Sequence, residues 1–262
     1  MVTATVGVLA DRPASAGPLT GVLVVIPAFN ESGSITSVIR EVRATLPGAG
    51  ILVVNDGSED ATAEVSAQEG VEVLRLPFNL GVGGAMRAGF LYATEHRWHT
   101  VVQIDADGQH DPAYVPAMLA ELAHGADIVV GARFAGVGDY RAPFLRRLTM
   151  RLVSRVMSRI CATRMTDATS GLRAANHTAV ELFARCYPAE YLGDTLQSLV
   201  IARRADLVVR QIPVEMRARV AGRPSQGFLG SILYLLRCAF ALAVRKQSAP
   251  ERRWLSRQVA HS

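Results

Sequence analysis

Gly21-Val22-Leu23-Val24-Val25-Ile26, followed by Pro27-Ala28-Phe29-Asn30-Glu31, decides how the chain is read. The first six residues are an apolar, β-branched run, which reads as a buried strand. Ser34 to Leu46 then carries apolar residues at Ile35, Val38, Ile39, Val42 and Leu46, the spacing of one helical face. A strand followed by a helix is the repeating unit of α/β folds, and here it recurs. Strand Ile51 to Val54 precedes helix Asp60 to Glu69, and strand Val71 to Leu76 precedes helix Val82 to Glu95. Strand Thr100 to Ile104 precedes helix Pro112 to His124, and a further strand, Asp127 to Gly131, leads into the segment Gly131 to Pro143. This alternation predicts a mostly parallel sheet with helices on both faces. Such sheets bind ligands beyond the carboxyl ends of their strands, so the polar residues just after each strand are the candidate site.

Asp105-Ala106-Asp107-Gly108-Gln109-His110-Asp111 directly follows the apolar strand Val101 to Ile104. Two carboxylates one residue apart at a strand end can both turn to one hard cation, whose other positions go to waters and diphosphate oxygens. A plainer reading is a turn in which Asp107 and Asp111 satisfy backbone donors. Asn55-Asp56-Gly57-Ser58 follows the second strand; Asp56 suits a nucleobase or ribose, and Asp60 is read as the cap of the next helix. Pro27 to Glu31 occupies the same place after the first strand, either as part of that site or as an ordinary turn into a helix. Asn79-Leu80-Gly81-Val82-Gly83-Gly84-Ala85-Met86-Arg87 opens a helix, where glycines and a helix N-terminus suit a diphosphate and Arg87 adds a cation. No Gly-Lys-Ser or Gly-Lys-Thr follows, so this is not a P-loop.

Beyond Pro143 the alternation stops. Phe144 to Arg164 reads as one helix with an apolar stripe, Leu145, Leu148, Leu152, Val156 and Ile160, and an arginine row, Arg147, Arg151, Arg155 and Arg159. The row is either a solvated face or a contact for anionic lipid headgroups. Glu190 to Ala205 reads as a helix and Leu207 to Val214 as a strand. Gly227 to Val244 is the most apolar stretch, but Arg237 interrupts it; it reads as a surface-lying helix, a core helix or a poor membrane span. Met1 to Thr20 has no basic cluster or continuous apolar run and reads as a loose tail. The division is therefore a tail (1–20), one domain (21–226), an apolar, membrane-peripheral helix (227–246) and a basic tail (247–262). Cys161, Cys186 and Cys238 are odd in number and lack metal spacing, which fits a reducing cytoplasm. The net charge of +5 suits an anionic partner. Nucleic acid is disfavoured, since the basic residues lack interleaved aromatic platforms.

Taken in order, these segments resemble glycosyltransferase family 2, and within it the bacterial dolichyl-phosphate mannosyltransferase-like branch of polyprenyl-phosphate sugar transferases. The matching pieces are Pro27 to Glu31; Asn55-Asp56-Gly57-Ser58 with Asp60 and Thr62; Asn79-Leu80-Gly81 with Gly83, Gly84 and Arg87; and Asp105 to His110. Thr169-Ser170-Gly171-Leu172-Arg173 and Arg219 to Ser225 extend the match. The resemblance implies a Rossmann-like GT-A fold, Mg²⁺ or Mn²⁺, and inverting transfer from a nucleoside-diphosphate sugar such as GDP-mannose or a UDP-hexose. It implies that Pro27, Phe29, Glu31 and Asp56 hold the nucleoside, with Gly81, Gly84 and Arg87 nearby. It sets Asp105, Ala106, Asp107 and Gln109 around the diphosphate, with Asp105, Asp107 and Gln109 on the metal. Asp167, Ser170, Gly171 and Arg173 fall on the acceptor side, Asp107 and Arg173 being expected at the chemistry, and Arg219 and Ser225 reach the phosphates. A lipid phosphate acceptor needs no base, whereas a hydroxyl acceptor needs one, for which Asp194 is the candidate and Glu190 the second. Many relatives carry C-terminal membrane spans; others work with a small membrane subunit, and the amphipathic segments here leave that route, or an anionic membrane surface on the cytoplasmic side, open. A nucleotidyltransferase, a non-catalytic nucleotide-sugar binder and a membrane-surface scaffold are the competing readings.

Overall fold

The computed structural model describes residues 19–132, 144–188 and 193–217. Seven strands form one sheet in the order β3-β2-β1-β4-β6-β5-β7. Their bounds are β1 Val22–Ala28, β2 Gly50–Asn55, β3 Glu72–Arg75, β4 Thr100–Gln103, β5 Ile128–Ala132, β6 Arg173–Ala175 and β7 Val209–Pro213. The helices are α1 Ile35–Thr45, α2 Thr62–Gln68, α3 Gly81–Glu95, α4 Val115–Ala123, α5 Phe144–Cys161, α6 His177–Cys186 and α7 Gly193–Arg204, with a short 3₁₀ turn at Pro112–Tyr114 before α4. All pairings are parallel except those of β6, which runs antiparallel to both β4 and β5.

β1 shows why the sheet is buried on both faces. Val22, Val24 and Ile26 belong to the core under α1 and α4, while Leu23 and Val25 belong to the core shared with α3 and α6. Successive side chains of a strand point to opposite faces, so an unbroken apolar run needs a cover on each. Val24, Val25 and Ile26 are wholly buried, each worth about 2 kcal/mol relative to exposure. Gly89 lets α3 close on the sheet: a Cβ there would lie 2.6 Å from Val25 Cγ1. The glycines of α3 thus serve packing as well as the loop.

Three expectations are corrected. The alternation gave no strand or helix between Arg164 and Glu190, yet β6 and α6 lie there. Among the described side chains of α5 the buried ones are Val153, Met157 and Cys161, while Val156 and Ile160, expected in the core stripe, are only half-buried; the side chains of Leu145, Leu148 and Leu152 lie outside the described residues. Arg155 and Arg159 are exposed; the side chains of Arg147 and Arg151 lie outside the described residues. Third, Asp60 is not the N-cap of α2, a position held by Ala61. From one residue further out its Oδ1 still accepts the first amide of α2, that of Thr62, at 3.0 Å, and its Oδ2 accepts the Ser32 amide at 3.1 Å, which ties the loop after β2 to the loop after β1. Cys161 and Cys186 are free. No helix among the described residues is long and apolar enough to cross a membrane; the N-terminal tail (1–18) and everything after 217, including Gly227 to Val244, lie outside those residues.

Candidate active site

The chain leaves β1 toward β2 and β3 on one side, and β4 lies on the other. That reversal opens a crevice at the carboxyl ends of β1 and β4. Of the loops at this edge, those after β1, β2 and β3 are sewn together. Asn30 adopts φ 56°, a left-handed turn that Asn tolerates. Its amide donates to Ser58 Oγ at 3.0 Å, and its Oδ1 accepts from the Glu59 amide at 2.9 Å. The Glu31 amide donates to Thr62 Oγ1 at 2.8 Å, and the Glu31 carboxylate accepts from the Ser34 hydroxyl at 2.8 Å. Burial alone would raise the Asp60 carboxyl, but hydrogen bonds from Thr62 and Ser32 hold it below the usual range.

Asp56 is 3% exposed. Its amide donates to Ala28 O at 2.8 Å, and its Oδ1 accepts from the Leu80 amide at 2.7 Å. Burial pushes its carboxyl up, and hydrogen bonds from the Leu80 and Gly81 amides offset part of that. Asn79 Oδ1 takes the Gly81 amide at 2.8 Å. Of the amides at the start of α3, expected at a diphosphate, those of the N-cap residue Leu80 and the first helical residue Gly81 are therefore engaged by Asp56 and Asn79. Gly57, at φ 69°, lies where a Cβ would stand 2.6 Å from the Phe78 carbonyl carbon, so the two loops meet backbone to backbone. Arg87 donates to the Arg185 carbonyl at 3.3 Å, at the end of α6. Pro27 and Gly84 are buried, whereas Phe29 is 43% and Phe78 62% exposed.

The loop after β4 holds the two carboxylates differently. Asp105 is half-buried; its Oδ1 lies 3.3 Å from Gln103 Nε2 and its Oδ2 lies 3.6 Å from His110 Nε2. His110, 4% exposed, accepts the Asp105 amide at Nδ1, 3.0 Å away. That bond places the ring proton on Nε2, facing the carboxylate. Asp107, 7% exposed, accepts the Gln109 amide at 3.0 Å, as the turn reading expected, around Gly108 at φ 76°. Ala106 is buried beneath them. Asp111 Oδ1 takes the Ala113 amide and caps the 3₁₀ turn.

Because β6 is antiparallel, the turn that precedes it arrives at the same edge. Asp167 Oδ1 closes this turn on Thr169, and Gln211 Oε1 of β7 accepts the Thr166 amide at 2.8 Å. Gly171 then presses on Asp105, where a Cβ would stand 2.6 Å from Oδ2. Arg173, expected at the acceptor, is 7% exposed and its guanidinium faces the protein, bonded to the Ser170 and Ala168 carbonyls and to Ser198 Oγ. Ser170 and Asp167 are also buried. The Asp194 side chain, Glu190, Arg219 and Ser225 lie outside the described residues. The sequence reading assigned no role to Arg217, which pairs with Glu41 of α1 at 2.6 Å and Asp111 at 2.8 Å while its amide donates to Gln109 O at 3.1 Å. An acidic residue on α1 gives no local sign that it meets a strand end far along the chain.

Among the described residues no cluster of three or more His, Cys, Asp or Glu encloses a cation. The oxygen donors of Asp105, Asp107 and Gln109 fit instead a hard cation that shares its coordination with substrate oxygens and water.

The sequence model of glycosyl transferase family 2 matches residues 23–182, which span β1 through most of α6. The chain belongs to glycosyl transferase family 2. It is 31% identical over 178 residues to the polyprenol monophosphomannose synthase of Mycolicibacterium smegmatis, covering 65% of this chain and 67% of that one. It is 35% identical over 159 residues to the undecaprenyl-phosphate mannosyltransferase of Micrococcus luteus, covering 58% of this chain and 65% of that one. In fold it is similar to glucosyl-3-phosphoglycerate synthase from Mycobacterium tuberculosis, solved with Mn²⁺, UDP and phosphoglyceric acid, with a TM-score of 0.66 at 22% identity over 88% of this chain and 81% of that one. Family membership makes the protein a glycosyltransferase and sets aside the nucleotidyltransferase and scaffold readings.

Proposed function

We propose that this family 2 protein transfers a hexose, with inversion, from a nucleoside-diphosphate sugar to a polyprenyl phosphate at the cytoplasmic face of a membrane. The observation that carries this reading is the placement of Asp56 after β2 and of the Asp105–Gln109 loop after β4, parallel strands on either side of β1 whose carboxyl ends share one edge of the sheet, in a chain similar to two polyprenyl-phosphate mannosyltransferases. In this reading Asp56 and Glu31 orient the nucleoside, and the exposed Phe29 ring offers it a flat apolar surface. Asp105, Asp107 and Gln109 would hold Mg²⁺ or Mn²⁺ against the diphosphate. When bound, such an ion neutralises charge on the departing nucleoside diphosphate.

The transferred sugar passes through an oxocarbenium-like state, and the acceptor attacks opposite the leaving group. An anionic lipid phosphate attacks without a base. Asp167, Ser170 and Gly171 form the adjoining acceptor-side turn, and Arg219 and Ser225 are assigned to the phosphates. The donor is GDP-mannose or a UDP-hexose, and a small membrane subunit or the apolar segment Gly227 to Val244 brings the protein to the lipid. The solved neighbour with phosphoglyceric acid suggests a second reading, a soluble phosphorylated acceptor, in which Asp194 serves as base when a hydroxyl is the nucleophile.

The test is a thermal-shift screen with GDP-, UDP- and dTDP-sugars, each with and without Mn²⁺, followed by transfer assays with the donor that binds. A shift with one donor that requires the ion, and a product extractable into organic solvent with polyprenyl phosphate, is the expected result; tight binding raises the midpoint by mass action. Transfer to a water-soluble phosphate alone replaces the acceptor in this reading. No shift with any donor sinks it.

A further inference from the structure

We infer that Arg173 is a positioning residue: through the Ala168–Gly171 turn it locks the Asp105 carboxylate to helix α7. Its relevance to transfer rests on the proposed function; the coupling itself does not. Arg173 opens β6 opposite Gln103 of β4 and Val130 of β5, so it sits at the centre of the sheet's active edge, one strand from Asp105. Its Nε donates to Ser170 O at 2.9 Å, one terminal nitrogen to Ala168 O at 2.9 Å, and the other to Ser198 Oγ at 2.8 Å. No carboxylate pairs with this buried cation among the described residues. It is bound by neutral acceptors on two separate pieces of chain.

Each bond has a mechanical consequence. The two carbonyls belong to the turn that seats Gly171 on Asp105, leaving no room for even a methyl group between them. Ser198 is fully buried on α7 and stands one turn after Asp194, the candidate base. Arg173 thus joins the donor side of the site to the helix that carries that residue. The planar fork of arginine reaches three acceptors in fixed directions; an ammonium group offers a single point and cannot span them. Arg173 also lines a small cavity with Phe90, Gln103, Phe183 and Tyr187, and lysine and glutamine are no bulkier than arginine, so both fit here without overpacking. The position therefore does not demand arginine for shape.

The experiment compares wild type, Arg173→Lys and Ser198→Ala by amide hydrogen exchange of the ligand-free protein and by steady-state kinetics. The Asp105 and Gln109 amides, bonded to His110 and Asp107, are the reporters. In Arg173→Lys they should exchange about 10-fold faster together with residues 168–172, and kcat should fall about 10-fold or more with the donor KM changed less. In Ser198→Ala the first turns of α7 should loosen while the Asp105 loop keeps its protection. Arg173→Gln repeats the measurement should the lysine variant not fold. Wild-type protection at Asp105 and Gln109 in both Arg173 variants overturns the inference, as does a uniform rise in exchange across the whole sheet. So does coupled loosening with kcat per folded enzyme unchanged. The exchange arm needs no substrate, so a wild-type protein that binds no donor would defeat the proposed function and leave the coupling decided on its own.

Discussion

Gly171→Ala adds one methyl group at a crowded point of the site, against Asp105. An ideal Cβ at 171 stands 2.6 Å from Asp105 Oδ2 and 2.9 Å from Oδ1, whereas ordinary contact begins at 3.4 Å. The carboxylate must therefore retreat by about 0.8 Å, the difference between 3.4 and 2.6 Å. Its retreat is opposed by Gln103 Nε2 and by the buried His110 ring. Residue 171 has no left-handed φ, so alanine costs nothing in backbone strain and the effect is steric. A displacement near 1 Å at a reacting centre costs on the order of 10²-fold in rate, so kcat should fall between about 10- and 100-fold. Mn²⁺ affinity measured with nucleoside diphosphate should drop by a similar factor, as for disturbed ligand-supporting contacts. Overpacking should also cost about 1–3 kcal/mol of stability. Gly50→Ala is the control: its Cβ would stand 2.7 Å from Trp98 Cζ2, a comparable clash at the amino end of β2, across the sheet from the edge that holds Asp105. It should lose comparable stability and keep cation affinity. Calorimetric Mn²⁺ titration, kcat and denaturation midpoints on the three proteins decide the matter. A Gly171→Ala protein that binds Mn²⁺ and turns over as wild type shows that the turn, not the carboxylate, gives way, and refutes the argument.

Asp56→Asn should raise the thermal midpoint of the ligand-free protein at pH 7 and weaken donor binding. Burial raises the native carboxyl above its unfolded value, so the stability it contributes is full below about pH 4 and lost as pH rises through the native value. The asparagine advantage should accordingly shrink as pH falls toward 4, and an advantage that grows on acidification would contradict the sign. Arg217→Ala removes exposed ion pairs to Glu41 and Asp111, which should cost less than about 1 kcal/mol in chemical denaturation. The donor KM should nevertheless rise several-fold, because Arg217 ties α1 and Asp111 to the Gln109 carbonyl of the proposed cation-binding loop; an unchanged KM argues against that brace.

The alternation of apolar runs with helical spacing was enough to read the sheet from β1 to β5 and the helices between them. Hydrophobic periodicity is a local property, repeated within each segment, and both sheet faces had to be covered. The position of Asp56 and of the Asp105–Gln109 loop after their strands was legible for the same reason. β6 was not, since Arg173-Ala174-Ala175 has no β-branched residue and becomes a strand only because β4 and β5 flank it. The face that α5 buries, the cross-loop bond between Asp60 and Ser32, and the capture of the Leu80 amide by Asp56 all depend on partners far along the chain. The same holds for Gly171 against Asp105, for Arg173 against Ser198, and for Arg217 between Glu41 and Asp111. The sequence determined which side chains are available for chemistry at the strand ends, because charge and hydrogen-bonding capacity travel with residue type. The tertiary structure decided which of them meet and which are spent holding others in place, because contact between distant segments is set by sheet order and helix packing rather than by spacing along the chain.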